Sequence, residues 1–182
     1  MADRPQYAPG PARPAQVRQD GDKWTLILER QLHHAPEKVW LALTEPSHLR
    51  EWAPYDADSN LGAIGGVNLT WTGTGRTQPA QVTRADAPHR LEVGDIRWEL
   101  EAKNGGTRLK LWHSIGGRFI AWGAAGWHIA FDVLERLLEG QPIGRIAGAD
   151  AMKHGWQRLV AEYSAQFGME APGSPAKPAA ES

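Results

Sequence analysis

Residues 119–138, FIAWGAAGWHIAFDVLERLL, decide the fold, because their apolar positions recur at helical spacing over more than five turns. One face carries Ile120, Ala124, Trp127, Phe131, Leu134 and Leu138, and a second apolar line runs through Trp122, Gly126, Ile129, Val133 and Leu137. Only a narrow stripe, His128, Asp132, Glu135 and Glu139, is polar, so the helix is expected to be buried on most of its circumference. Gly140 and Pro142 end it. Asp132, Glu135 and Arg136 within it argue against a membrane span.

Working outward, the segment before this helix reads as antiparallel strands. In residues 96–103, Ile96, Trp98, Leu100 and Ala102 alternate with Arg97, Glu99, Glu101 and Lys103. Val67, Leu69 and Trp71 alternate with Asn68, Thr70 and Thr72 in the same way. Residues 78–85 and 89–93 give two weaker strands. Residues 107–115 place Leu109, Leu111, His113 and Ile115 on one face. Gly94-Asp95 and Asn104-Gly105-Gly106 are tight-turn signals, so three neighbouring strands form a meander. Further upstream, residues 22–32, DKWTLILERQL, read as a half-buried strand, and APEKVWLALTEPSHLREW as two short helices opened by Pro36 and Pro46. After Gly140 a Gly-rich connector, GQPIGRIAGA, leads to a last helix from near Asp150, with Met152, Trp156, Leu159, Tyr163 and Phe167 on one side.

The fold class is therefore α+β: a curved antiparallel sheet wrapped around one long helix, with two short helices after the first strand and an extra final helix. Residues 1–20 and 169–182 are rich in proline, alanine and polar residues and read as disordered tails, leaving 21–168 as one domain of about 150 residues.

The net charge is −1, from 20 basic and 21 acidic residues, so no electrostatic footprint for nucleic acid or an anionic membrane is present. No cysteine occurs, which excludes disulfides, thiol nucleophiles and cysteine metal sites. The amino terminus lacks a signal-peptide apolar stretch, so a cytoplasmic protein is expected. Nine tryptophans against three phenylalanines are the unusual count; indoles suit the wall of a cavity as well as a close-packed core.

The ordered set APEKVWLALTEPSHLREW, TRLKLWHS, AAGWHIAFDVLERLLEGQPIG and DAMKHGW resembles the START-like (SRPBCC) domains of the activator of heat-shock protein 90 ATPase homologue family, from about Trp24 to Phe167. The resemblance implies a helix-grip fold around an apolar cavity, in a group whose related folds bind lipids, steroids or polyketides and include cyclases and hydroxylase components. The eukaryotic activators add an amino-terminal chaperone-binding domain for which this chain lacks the length, so chaperone binding is not expected. The segment RLEVGDIRWEL is shorter than the usual hairpin, and the helix after Gly140 resembles a subgroup feature.

Within such a fold, Trp71, Trp98, Trp127 and Phe131 are the expected cavity wall, and Trp52 and Tyr55 are expected near its mouth. His113 shares the face of Leu109 and Leu111, where a buried polar group must find a partner, either in the core or on a ligand. His128 and Asp132, four apart, read as a solvated helix pair. His33 and His34 diverge from a strand end and lack the spacing of a metal site. No G-x-S-x-G surrounds a serine, and the glycines of 140–149 make no phosphate loop. No cofactor, metal or catalytic residue is assigned.

Three functions follow in order of expectation. The first is binding of a small hydrophobic or amphipathic ligand between sheet and long helix; the second is a cofactor-free cyclase, hydrolase or isomerase in the same cavity; the third is an interaction module or chaperone cofactor. A homodimer is compatible with each.

Overall fold

A computed structural model of the chain describes residues 7–169. Eight strands form one antiparallel sheet: β1 Gln16–Asp20, β2 Lys23–Leu32, β3 Tyr55–Ala57, β4 Gly65–Trp71, β5 Arg76–Asp86, β6 Arg90–Val93, β7 Ile96–Lys103 and β8 Gly106–Ser114. Their order across the sheet is β1-β2-β8-β7-β6-β5-β4-β3. Two short helices, α1 Pro36–Thr44 and α2 Pro46–Trp52, join β2 to β3. The long helix α3, Ile120–Leu138, follows β8 after a 3₁₀ turn, and α4, Trp156–Gln166, packs against it.

Local chemistry explains most of these boundaries. α1 has no side-chain cap, but Pro36 supplies a preset φ at its first position and Glu37 lies in its first turn. It stops at Glu45, which is extended because Pro46 follows. The β6–β7 and β7–β8 hairpins turn through Gly94-Asp95 and Asn104-Gly105; the pairs Val93–Ile96 and Lys103–Gly106 close them. Gly94, Asn104 and Gly105 all have positive φ, as tight hairpin turns require. The meander and its inward faces are therefore as the alternation predicts: Ile96 pairs with His113, Trp98 with Leu111 and Leu100 with Leu109.

Four features differ from the sequence reading. The tail expected over residues 1–20 is part of the domain in its described portion, since Gln16–Asp20 pair along β2 from Ile27 to Lys23. This edge strand is almost wholly exposed and is held through backbone hydrogen bonds, so apolar periodicity carries no trace of it. The three-residue β3 is likewise too short for a period to register. The last helix is broken: residues Gly148–His154 are 3₁₀, and Gly155, at φ 81°, separates them from α4. Leu159 and Tyr163 are buried as expected, while Met152, on the far side of the break, is 52% exposed. Beyond Met169, the carboxy-terminal tail lies outside the described residues.

The fourth is the polar stripe of α3. His128 is buried, and its Nδ1 lies 2.8 Å from the Tyr163 hydroxyl of α4. Asp132 accepts from the Arg30 guanidinium of β2 at 2.7 Å and from the Tyr7 hydroxyl, and Glu135 lies 3.1 Å from the same guanidinium. The expected solvated pair is thus an interior network that ties β2, the amino-terminal segment and α4 to α3. Burial lowers the His128 pKa to about 4, against the pull of Asp132, and raises those of Tyr7 and Tyr163.

Candidate functional site

The concave face of the sheet is built by alternation. β8 directs Leu109, Leu111 and His113 inward, β7 directs Ile96, Trp98 and Leu100, and β4 directs Leu69 and Trp71. α3 lays Trp127 and Phe131 over this face, and α2 contributes Trp52. The rings meet one another directly. Trp127 stands edge-on to Trp98 at 5.4 Å and to Tyr55 at 6.3 Å, with Trp52 at 6.5 Å and Phe131 at 6.0 Å. Such tilted and edge-to-face contacts are favoured by the ring quadrupoles.

This cluster fills the space between sheet and long helix. Trp52, Tyr55 and Trp98 have no exposed surface, and Phe131 and Trp127 are 2% and 3% exposed. Trp52 does not stand at a mouth: its indole N–H donates to the Ala42 carbonyl at 2.8 Å, inside the core. Tyr55 is equally enclosed, and burial raises its pKa. The tryptophans are gathered on the inward faces, but five of the seven expected site residues, Trp52, Tyr55, Trp98, Trp127 and Phe131, are buried against one another as packing.

The other two, Trp71 and His113, line a cavity of about 530 Å³ beyond the cluster. Its floor is the sheet: Leu69 of β4, Ala80 of β5, Val93 of β6 and Ile96 of β7. Its cover is Pro54 with Ala147 of the connector after α3 and Gly148 at the start of the 3₁₀ segment, and no residue of α3 lines it. The cavity therefore lies between the sheet and the connector, not between the sheet and the long helix. Arg76, Gln78, Asp95 and Ser114 bring polar groups to its rim.

His113 is the buried polar residue of this lining, 8% exposed. Its ring stacks on Trp71, with centroids 5.6 Å apart and planes 3° from parallel. Its Nδ1 accepts a hydrogen bond from the Trp127 indole N–H at 3.0 Å. Burial lowers its pKa to about 4, so at neutral pH the ring is uncharged. With Nδ1 accepting, the single proton of the neutral ring sits on Nε2. The site thus offers one oriented N–H donor against an aromatic wall.

The cover is held by Arg145, whose guanidinium reaches both carboxylate oxygens of Asp56 on β3, at 2.5 and 3.2 Å, and the Leu49 carbonyl at 3.1 Å. Ile146 beside it is buried. Sequence reading missed this clamp, since nothing local links residues 56 and 145. Arg30 was also missed, though its signal is visible: it occupies an inward position of β2, between Leu28 and Leu32, where a cation needs carboxylate partners.

On the outer face, Trp112 lies under the Arg97 guanidinium at 4.3 Å and the Lys110 ammonium at 4.7 Å. The His34 Nδ1 is 3.5 Å from Lys38 Nζ. Among the described residues no group of three or more His, Asp or Glu side chains is placed to hold a metal ion, and no helix is long and apolar enough to cross a membrane.

Several solved structures share this fold. A conserved protein of unknown function from Enterococcus faecalis, EF2215, is 20% identical, with a TM-score of 0.66 over 85% of this chain and 90% of that one. The solution structure of CalU16 from Micromonospora echinospora is 20% identical, with a TM-score of 0.64 over 92% of this chain and 98% of that one. An AHSA1-like protein from Aeromonas hydrophila is also 20% identical, with a TM-score of 0.51 over 64% of this chain and 92% of that one. At these identities the likeness concerns the fold alone. No curated protein matches the chain. The family model described as Activator of Hsp90 ATPase homolog 1-like protein matches residues 33–139, from the end of β2 to the end of α3. With more than half of its length matched in this way, the chain belongs to the Activator of Hsp90 ATPase homolog 1-like family.

Proposed function

We propose that the protein binds a small hydrophobic or amphipathic molecule in the 530 Å³ cavity, with Trp71 against its flat face and the His113 Nε2–H donated to an acceptor oxygen. The observation that carries this reading is the state of His113: uncharged, saturated at Nδ1 by Trp127, and lining a largely apolar cavity. Ligand pockets commonly combine an apolar lining with a few placed polar groups, in the range of about 300–1,000 Å³. Burying about 200 Å² of ligand carbon surface contributes about 5 kcal/mol before the cost of association. One hydrogen bond to His113 adds about 1 kcal/mol and sets orientation.

The same observation weighs against acid–base turnover by this residue. A ring whose lone pair is engaged by an indole N–H and whose other nitrogen holds the proton presents a donor, not a base.

The test is native mass spectrometry of the purified protein, with extraction of whatever is bound, beside titration with the neutral probe N-phenyl-1-naphthylamine. A bound apolar molecule, or saturable uptake of the probe, is expected. His113→Leu should weaken acceptor-bearing ligands about fivefold while leaving the probe unaffected. An empty protein that takes up no probe refutes the reading.

A further inference from the structure

Residues beyond the family match, from 140 onward, supply most of the lining of a second apolar space beside the first. It has a volume of about 270 Å³ and is lined by Gly126 of α3, by Ala151 and Met152 of the 3₁₀ segment, and by Trp156 at the start of α4. No charged side chain lines it. Pro54, Ala147 and Gly148 line both spaces, so these three residues form the wall between them. That wall is bare backbone at one point: a Cβ added to Gly148 would stand 3.1 Å from the Gly73 Cα. On the opposite side, Gly126 interrupts an otherwise apolar helix face, and a Cβ placed there meets nothing within 4 Å. A glycine inside a helix costs up to about 1 kcal/mol relative to alanine, so this opening is not a product of helix chemistry.

Resting on the binding function proposed above, we infer that the ligand is a single-chain amphiphile: its acceptor-bearing head lies at His113 and its alkyl tail passes the Ala147-Gly148 wall into the chamber under Trp156 and Met152. The chamber's occupant is taken to be this tail because it adjoins the cavity and has only apolar walls. The connector, residues 141–147, has no regular secondary structure and is anchored at Arg145, so the wall that must yield, Ala147 and Gly148, lies beyond the clamp.

The test is binding of a homologous series of 4-alkylphenols, methyl to octyl, followed by tryptophan fluorescence. The wild-type protein should gain up to about fourfold in affinity per methylene through the longer members. Gly126→Leu, whose Cβ meets nothing within 4 Å and whose branched end enters the opening, should bind the short members as wild type and the octyl member at least tenfold more weakly. Gly126→Ala should retain the wild-type series. If Gly126→Leu does not fold, Met152→Trp narrows the chamber from its other wall and should cut off the gain at the same length. A wild-type series that levels off at short chains, or variants that follow the wild type to octyl, overturns the tail site alone and leaves the cavity reading standing. Failure of every member to bind, in a protein that also takes up no N-phenyl-1-naphthylamine, overturns both; failure of the series with the probe still bound overturns the tail site alone.

Discussion

His113 makes the stability of this protein depend on pH in a way that a single substitution can isolate. Its ordinary pKa of 6.5 falls to about 4 in the folded chain because burial disfavours the imidazolium. Between those values the unfolded chain binds the proton and the folded chain does not, so stability is present in full above pH 6.5 and is lost as the pH falls towards 4. At about 1.4 kcal/mol for each pH unit within that window, the loss from this residue between pH 7 and pH 5 is about 2 kcal/mol. His128, buried beneath Tyr163 with its pKa also lowered to about 4, loses stability over the same window. The variant to compare is His113→Gln, whose amide oxygen can still accept from the Trp127 indole N–H but does not titrate. Urea unfolding at pH 7, 6 and 5, followed by tryptophan fluorescence, should show a pH-dependent loss smaller by about 2 kcal/mol in His113→Gln than in the wild type. A loss of equal size in both proteins would refute the claim that His113 is buried uncharged.

Two further outcomes test the rest of the site's support. Arg30→Met leaves Asp132 and Glu135 without the buried guanidinium that both contact, and should cost about 3 kcal/mol in urea unfolding; a loss under about 1 kcal/mol would mean that Tyr7 and His128 suffice for Asp132. Arg145→Ala removes the tie from the connector to Asp56 and the Leu49 carbonyl. Its pair is partly exposed, so the stability loss should be about 1 kcal/mol, but amide exchange in residues 141–148 should quicken at least tenfold while that in β7 and β8 does not change. Unchanged exchange in the connector would show that Ile146, not Arg145, holds the cover.

The enclosed tryptophans show why a candidate site is harder to read than a fold. Alternation correctly placed Trp98 inward on β7 and helical spacing placed Trp127 towards the sheet, as the 5.4 Å contact of their rings requires. What periodicity cannot give is the volume between two faces. Trp52, from a different helix, and Tyr55, from a strand too short to notice, enter the same space and fill it. Side-chain volumes add up only when elements distant in sequence are brought together. His113 was legible because a single polar residue broke an apolar face; its partner Trp127 was not, because their meeting depends on where α3 crosses the sheet.

By itself the sequence determined most of the elements, the inward faces of β4, β7 and β8 and the family. Hairpin turns, proline-opened helices and the period of α3 are set by interactions within a few residues, and they are the same wherever the segment lies. The tertiary structure alone decided that the cavity lies beneath the connector, that His128 and Asp132 of the polar stripe of α3 are covered by Tyr7, Arg30 and Tyr163, and that Gln16–Asp20 complete the sheet. Each of these depends on partners far apart in sequence: Tyr7 and Asp132 are 125 residues apart, Arg145 and Asp56 are 89. No local preference specifies such pairs, because burial and charge compensation act between surfaces only after the chain has folded to bring them together.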